Sequence, residues 1–163
     1  MNEPGSDLKP DSRYVKTVRV RANGLLTDGD ALLMVNLISP VTGGAIWMPP
    51  GGGVRFGERL TNAVERELRE ETGLEVLAGP LWYIHEVRSQ EVHAVEFYFH
   101  CEKRRGTVQK GVDPELPECD QIIRDVAFIP FDQLDHPDVY PRYLQKGFPA
   151  DCLDQSVPLP KII

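Results

Sequence analysis

Apolar and polar positions first alternate and then merge along the opening quarter of the chain. Between Tyr14 and Leu26, Val18, Val20 and Ala22 alternate with Arg19 and Arg21 before an apolar end, which predicts a strand. Asp28-Gly29-Asp30 is a turn. Ala31 to Ile38 (ALLMVNLI) then runs apolar without interruption, the pattern of a strand buried on both faces. Pro40 to Gly44 reads as loop and Ala45 to Met48 as a short strand. From Leu60 the period changes: Leu60, Val64 and Leu68 recur every four residues, and Gly73 follows as a stop, so this stretch is a helix.

Beyond that helix the alternation of strands returns. Glu75 to Leu77 and Trp82 to Arg88 are predicted strands, Ser89-Gln90-Glu91 a turn, and Val92 to Glu102 the hairpin partner, ending at Lys103-Arg104-Arg105-Gly106. Lys110 to Asp120 is a loop rich in proline and acids. Ile122 to Pro130 resumes a strand, and Asp132 to Leu134 and Val139 to Gln145 predict a short and a longer helix. Phe148 to Ile163 has no clear period and is expected to pack irregularly or to form a homodimer contact. A mixed β-sheet between helices, an α/β fold, accommodates this order.

The 163 residues suit one domain, read as residues 14–163 behind a polar N-terminal tail, residues 1–13. At 41% hydrophobic and 26% charged the chain can bury a full core, and the net charge of −7 argues against a general nucleic-acid-binding surface. No apolar run approaches the ~18 residues of a membrane span. The N-terminus lacks the apolar centre of a signal peptide. Cys101, Cys119 and Cys152 are odd in number with no CxxC pair, which suits free thiols in a reducing cytoplasm.

Candidate chemistry lies on the central helix and the glycines before it. At ~100° per residue, Glu67, Glu70 and Glu71 share an arc of roughly 100° that also holds Leu60. Acids three and four residues apart repel, and partial burial adds to the cost, unless a hard divalent cation such as Mg2+ joins them. The plain alternative is a solvated acidic face. Ahead of them, Pro49-Pro50 leads into Gly51, Gly52 and Gly53, with Gly57 four residues later. That segment is read as loop, not regular strand, whose backbone N–H groups can cradle anionic oxygens.

Together, Gly52, Glu58, Arg66-Glu67-Leu68, Glu70-Glu71, Gly73 and Leu74 stand at the spacing of the Nudix box. The chain therefore resembles the Nudix hydrolases, the MutT-like family, over roughly Val15 to Leu144. That resemblance implies an α/β/α sandwich and Mg2+-dependent hydrolysis (Mn2+ as a substitute) of a phosphoanhydride in a nucleoside diphosphate linked to a group X. It implies Glu67, Glu70 and Glu71 as metal ligands, and Glu58 as support for the metal shell or the helix entry. Gly52 and Gly53 would present backbone groups to metal or phosphate. Arg55 and Arg59 replace the acid and the capping Ser or Thr common in relatives, at positions the box leaves open.

Arg66, one turn before Glu70, is suited to orienting carboxylates with its fork. In the late loop, Glu118 is the choice for an additional acid or base, with Asp120 as alternative and Glu115 nearby. His85 and His93 read as sheet residues of the hairpin, and His100 and His136 show no metal spacing either. A binding or sensing module of the same fold, without turnover, is the competing function, although such modules usually lose one acid and this box is complete.

Overall fold

The computed structural model describes residues 16–39, 42–90, 92–112, 114, 117–146 and 161–162. Their elements in chain order are β1 (Val18–Leu25), β2 (Thr27–Asp28), β3 (Ala31–Ile38), β4 (Ala45–Met48), β5 (Gly51–Gly53), α1 (Leu60–Thr72), β6 (Glu75–Arg88), β7 (His93–Arg105), β8 (Ile123–Pro130) and β9 (Lys161–Ile162). The expected tail, residues 1–13, lies outside the described residues. So does most of the C-terminal stretch expected to pack irregularly or join two copies. Within that stretch, β9 pairs parallel to β6 at Tyr83 and Ile84.

The strands divide into two sheets. One runs β5-β1-β7-β6-β9; in the other, β3 is flanked by β8 on one edge and by β2 and β4 in succession on the other. β1 and β7 are parallel, whereas β5 on β1 and β6 on β7 are antiparallel, so the mixed pairing expected of an α/β domain is present. β3 has no exposed residue, in keeping with its unbroken apolar run. Leu25, Leu32, Met34, Tyr83 and Tyr98 fill the space between the sheets. Ala63, Val64 and Leu68 of α1 close a second cluster with Ala22, Leu33, Leu74 and Phe99.

Three local expectations change. The glycine run is not loop: Gly51–Gly53 is a short strand whose partners on β1 are Asn23, Ala22 and Arg21. Without β-carbons it can lie flat under α1, and pairing satisfies backbone groups that a loop would leave to solvent. Glu75–Leu77 and Trp82–Arg88 belong to one strand, β6, whose register on β7 slips at Ala78/Leu81 and again at Leu81/Tyr83. Pro80 lacks an N–H for the ladder there, so the strand bulges without ending. The longer helix over Val139–Gln145 shrinks to a 3₁₀ turn, Arg142–Lys146. Pro141 breaks the earlier part, and Val139 bridges to Trp47 instead. The helical cover opposite α1 is accordingly 3₁₀ among the described residues, with Leu134 and Leu144 buried beneath it.

At its start β1 turns its arginines inward and its valines outward. Val18 and Val20 are exposed, while Arg19 and Arg21 are half-buried. Further along, Gly24 lets α1 approach: a β-carbon there would stand 2.6 Å from a Leu68 methyl and 2.9 Å from Cys101 Sγ. Burial pushes the Cys101 thiol up to about 12, so it packs as an apolar side chain.

The C-terminal end of α1 is held from two directions. Gly73, at φ 71°, donates its N–H to the Arg69 carbonyl as a left-handed cap. The strand-like strap after β7 then donates Gln109 N–H to Thr72 O (3.0 Å) and Gly111 N–H to Glu71 O (2.8 Å), satisfying carbonyls the helix leaves open. A β-carbon on Gly111 would collide with the Glu70 carbonyl, which is rigid backbone. Gly111→Ala is therefore expected to destabilise the fold by about 1–3 kcal/mol, seen as a lower urea midpoint at unchanged slope. An unshifted midpoint would show that the strap does not hold the helix.

Candidate functional site

The carboxylates of α1 meet the glycine strand on one side of a cleft of about 240 Å³ that opens between the two sheets. Glu67, Glu70, Glu71, Gly51, Gly52 and Gly53 line that side together. Glu71, buried, accepts a hydrogen bond from Gly51 N–H at 2.9 Å. Glu67 lies directly against Gly52, where any β-carbon would clash with its carboxylate. A side chain at Gly52 would displace the Glu67 carboxylate, whereas one at Gly51 would meet the β1 backbone.

Arg66 occupies the centre. Its Nε and Nη2 donate to the two oxygens of Glu58 at 2.8 and 3.0 Å, a bidentate pair. Nη1 donates to Glu67 Oε1 at 2.7 Å and to Glu70 Oε2 at 3.1 Å, and Nη2 also reaches the Gly53 carbonyl at 3.0 Å. Glu58 accepts a further bond from Arg55 N–H at 3.0 Å. Arg66 holds the Glu58 carboxyl down at about 2, and the same bonds raise the Arg66 pKa. The helix N-cap is Arg59, with no side-chain capping bond, so Glu58 serves the arginine and not the first turn. Arg55 Nη2 stands 3.9 Å from Glu70 Oε1, at the edge of an ion pair.

Glu67 is different. Burial raises its pKa, and Arg66 only partly offsets this. A carboxylate left short of positive charge, beside two more carboxylates in one cleft, is a donor set that fits a hard divalent cation. Among the described residues no three acidic, His or Cys side chains already converge as a metal cage, because Arg66 and the Gly51 peptide hold the three acids.

Not every residue singled out from the sequence comes here. Glu118 begins a 3₁₀ turn, Glu118–Asp120, where it and Asp120 are exposed and do not line the cleft; Glu115 lies outside the described residues. Conversely, Arg21, His85, Glu96 and Tyr98 line the cleft and were not singled out as site residues. Arg21 and Glu96 sit on strands whose alternation hides which face is inward. The available signal was charge at strand positions that a two-sheet core would be expected to fill with apolar residues.

An α/β pair of sheets with a glutamate-rich helix laid on a glycine strand defines the chain as a Nudix-fold protein. It belongs to the NUDIX domain family, whose model matches residues 17–146. The m7GpppN-mRNA hydrolase NUDT17 of Xenopus laevis is 62% identical over 29 residues, 18% of this chain and 10% of that protein. The chain thus matches only a small part of that relative. The E. coli ORF135 protein superposes with a TM-score of 0.67 at 19% identity, over 87% of this chain and 96% of that one. An ADP-ribose pyrophosphatase from Streptococcus suis gives 0.62 at 19% identity, over 90% and 98%. At such identities the structural likeness establishes the fold.

The Glu58–Arg66 pair carries a pH signature. Its folded carboxyl pKa lies below the unfolded value, so its stabilisation is complete above about pH 4.5 and disappears as pH falls towards about 2. Glu58→Gln should cost about 1–3 kcal/mol at neutral pH and progressively less under acid. Urea midpoints of parent and variant, compared from pH 7 down to about 3, should converge. A constant gap would mean that Glu58 contributes through shape and not charge.

Proposed function

We propose that this chain is a Mg2+-dependent hydrolase of the phosphoanhydride in a nucleoside diphosphate linked to another group X. The observation that carries this reading is the arrangement of Glu67, Glu70 and Glu71 along one wall of the cleft, against a strand of glycines. NUDIX hydrolases generally use divalent metals and act on small nucleotides. Here Glu67, Glu70 and Glu71 would hold Mg2+, with Mn2+ as a substitute. The cation, when bound, offsets charge on the phosphate oxygens and acidifies a water.

The chain's own residues supply the order. Gly51 N–H fixes one oxygen of Glu71, and Arg66 fixes Glu67 and Glu70, so the acids need little reorganisation when substrate arrives. Glu58 keeps Arg66 in place and acts on the reaction only through it. Gly52 and Gly53 leave room for a phosphate to lie close to the backbone. Glu118, exposed and off the cleft wall, has no part in this reading. A single domain working in the cytoplasm as a nucleotide-cleaning enzyme completes the proposal; no helix among the described residues is long and apolar enough to cross a membrane.

A panel of nucleoside diphosphate compounds, assayed with Mg2+ for released phosphate and nucleoside monophosphate, tests this directly. Turnover should vanish in excess EDTA and return with Mg2+ or Mn2+. Full-rate turnover in EDTA would remove the metal, and tight binding with no turnover of any compound would leave a sensing module.

Glu67→Gln and Glu71→Gln should each lower kcat by a factor of about 100 or more while remaining folded. For Glu67→Gln, stability without metal should change by less than about 1 kcal/mol, since its buried charge is disfavoured and the amide oxygen still accepts from Arg66. Loss of the folded state in that variant, judged by circular dichroism and urea titration, would make Glu67 structural.

A further inference from the structure

One rung of the larger sheet is charged from strand to strand. Gly53 on β5 faces Arg21 on β1, Arg21 faces Glu96 on β7, and Glu96 faces His85 on β6. Two rungs along, on the same face, Tyr98 pairs with Tyr83, both fully buried, their rings stacked at 4.3 Å. Placing three ionisable side chains where the sheets face each other costs desolvation that apolar residues would avoid. The fold alone does not require them.

They are joined to one another and to the acidic wall. His85 Nδ1 lies 3.1 Å from Glu96 Oε2, which also accepts from the Tyr98 hydroxyl at 3.0 Å. Arg21 Nε is 3.3 Å from Glu96 Oε1, within ion-pair range but not aligned as a hydrogen bond. Arg21 Nη2 donates to Gly51 O at 3.1 Å, and the N–H of that same Gly51 holds Glu71. A continuous path therefore runs from His85, at the cleft surface, to Glu71. Burial works against the charge on Glu96, but His85, Arg21 and Tyr98 together outweigh it and keep its pKa low.

Nδ1 of His85 faces the Glu96 carboxylate, and the tautomer that carries its proton there presents Nε2 as an acceptor. Leu37, Ile46 and Met48 wall the cleft from one sheet, Val87 and Ala94 from the other. Apolar walls with a polar floor fit a planar ring that hydrogen-bonds at its edge.

We propose that the Arg21–Glu96–His85 rung is a specificity relay, in which His85 reads an N–H at the edge of a heteroaromatic ring and Arg21 and Glu96 set Glu71 through the backbone of Gly51, held at its C=O by Arg21 and at its N–H by Glu71. This rests on the nucleotide reading of the site. The ring belongs either to the nucleoside or to X. Arg21 and Glu96 are positioning residues; His85 is the one that touches the ligand.

The test is binding by the full chain in EDTA, measured by calorimetry. One series compares nucleoside diphosphates with and without an amino group on the base, such as adenosine against purine riboside. A second keeps the nucleoside and varies an amino-bearing ring in X. The parent should prefer the aminated member by about tenfold or more in one series, which identifies the ring. His85→Ala should bring that preference within about twofold, and Glu96→Gln should do the same. Ligand should also shift the Gly51 amide resonance in the parent and not in Glu96→Gln. If Glu96→Gln does not fold, Tyr98→Phe, which removes one donor from the same carboxylate, should weaken both effects.

A parent without preference in either series overturns the proposal, as does a preference that survives His85→Ala. A Gly51 shift unchanged by Glu96→Gln, or by Tyr98→Phe in its place, overturns the link to Glu71. None of these readouts needs turnover, so a protein that discriminates rings yet hydrolyses nothing would fail the proposed function and leave the relay standing.

Discussion

Glu58, Glu67 and Glu70 all depend on the five donors of one guanidinium. Arg66 is nearly buried, and it binds two oxygens of Glu58, one each of Glu67 and Glu70, and the Gly53 carbonyl. Three like charges within one cleft would push one another apart and open the helix from the strand. A planar cation with its donors in fixed directions can satisfy them at once, which a lysine with a single charged point could not. The arrangement also gives each acid a different environment. Glu58 is fully compensated and Glu67 is not, which separates a carboxylate that holds structure from one able to take up an added cation.

The clamp works only because the backbone beneath it is thin. Gly24 admits Leu68 against β1, Gly52 admits Glu67 against β5, and Gly111 admits the strap against the last turn of α1. Each glycine lies where another element's atoms occupy the space a side chain would need. These contacts hold the second half of the helix, from Glu67 to Glu71, against its neighbours. Its carboxylates are positioned by packing as much as by charge.

Much of this was legible from spacing alone. The period of Leu60, Val64 and Leu68, the stop at Gly73 and the run over Ala31 to Ile38 correspond to α1 and β3 within a residue. The acids and glycines of the box come together in one cleft because they are local: a helix and the strand just ahead of it. What escaped the sequence is non-local. Gly51–Gly53 is a strand only because β1 lies beside it, and isolated glycines carry no strand signal. His85 and Glu96 share the β6–β7 hairpin, but Arg21 joins them from β1, some seventy residues earlier, and no spacing connects it to them. Their meeting depends on register, which is set by tertiary pairing.

The larger sheet ends on β9, whose two residues pair with β6 at Tyr83 and Ile84. An uncovered strand edge offers a row of free N–H and C=O groups to any extended chain that drifts past. β6 is long and carries Leu81, Trp82, Tyr83 and Ile84 in succession, a composition prone to self-association when a neighbouring strand is missing. Lys161 and Ile162 take up backbone groups of Tyr83 and Ile84 that would otherwise be open to another chain. A two-residue pairing near the end of the chain thus closes part of a strand that lies far in sequence from the acidic helix.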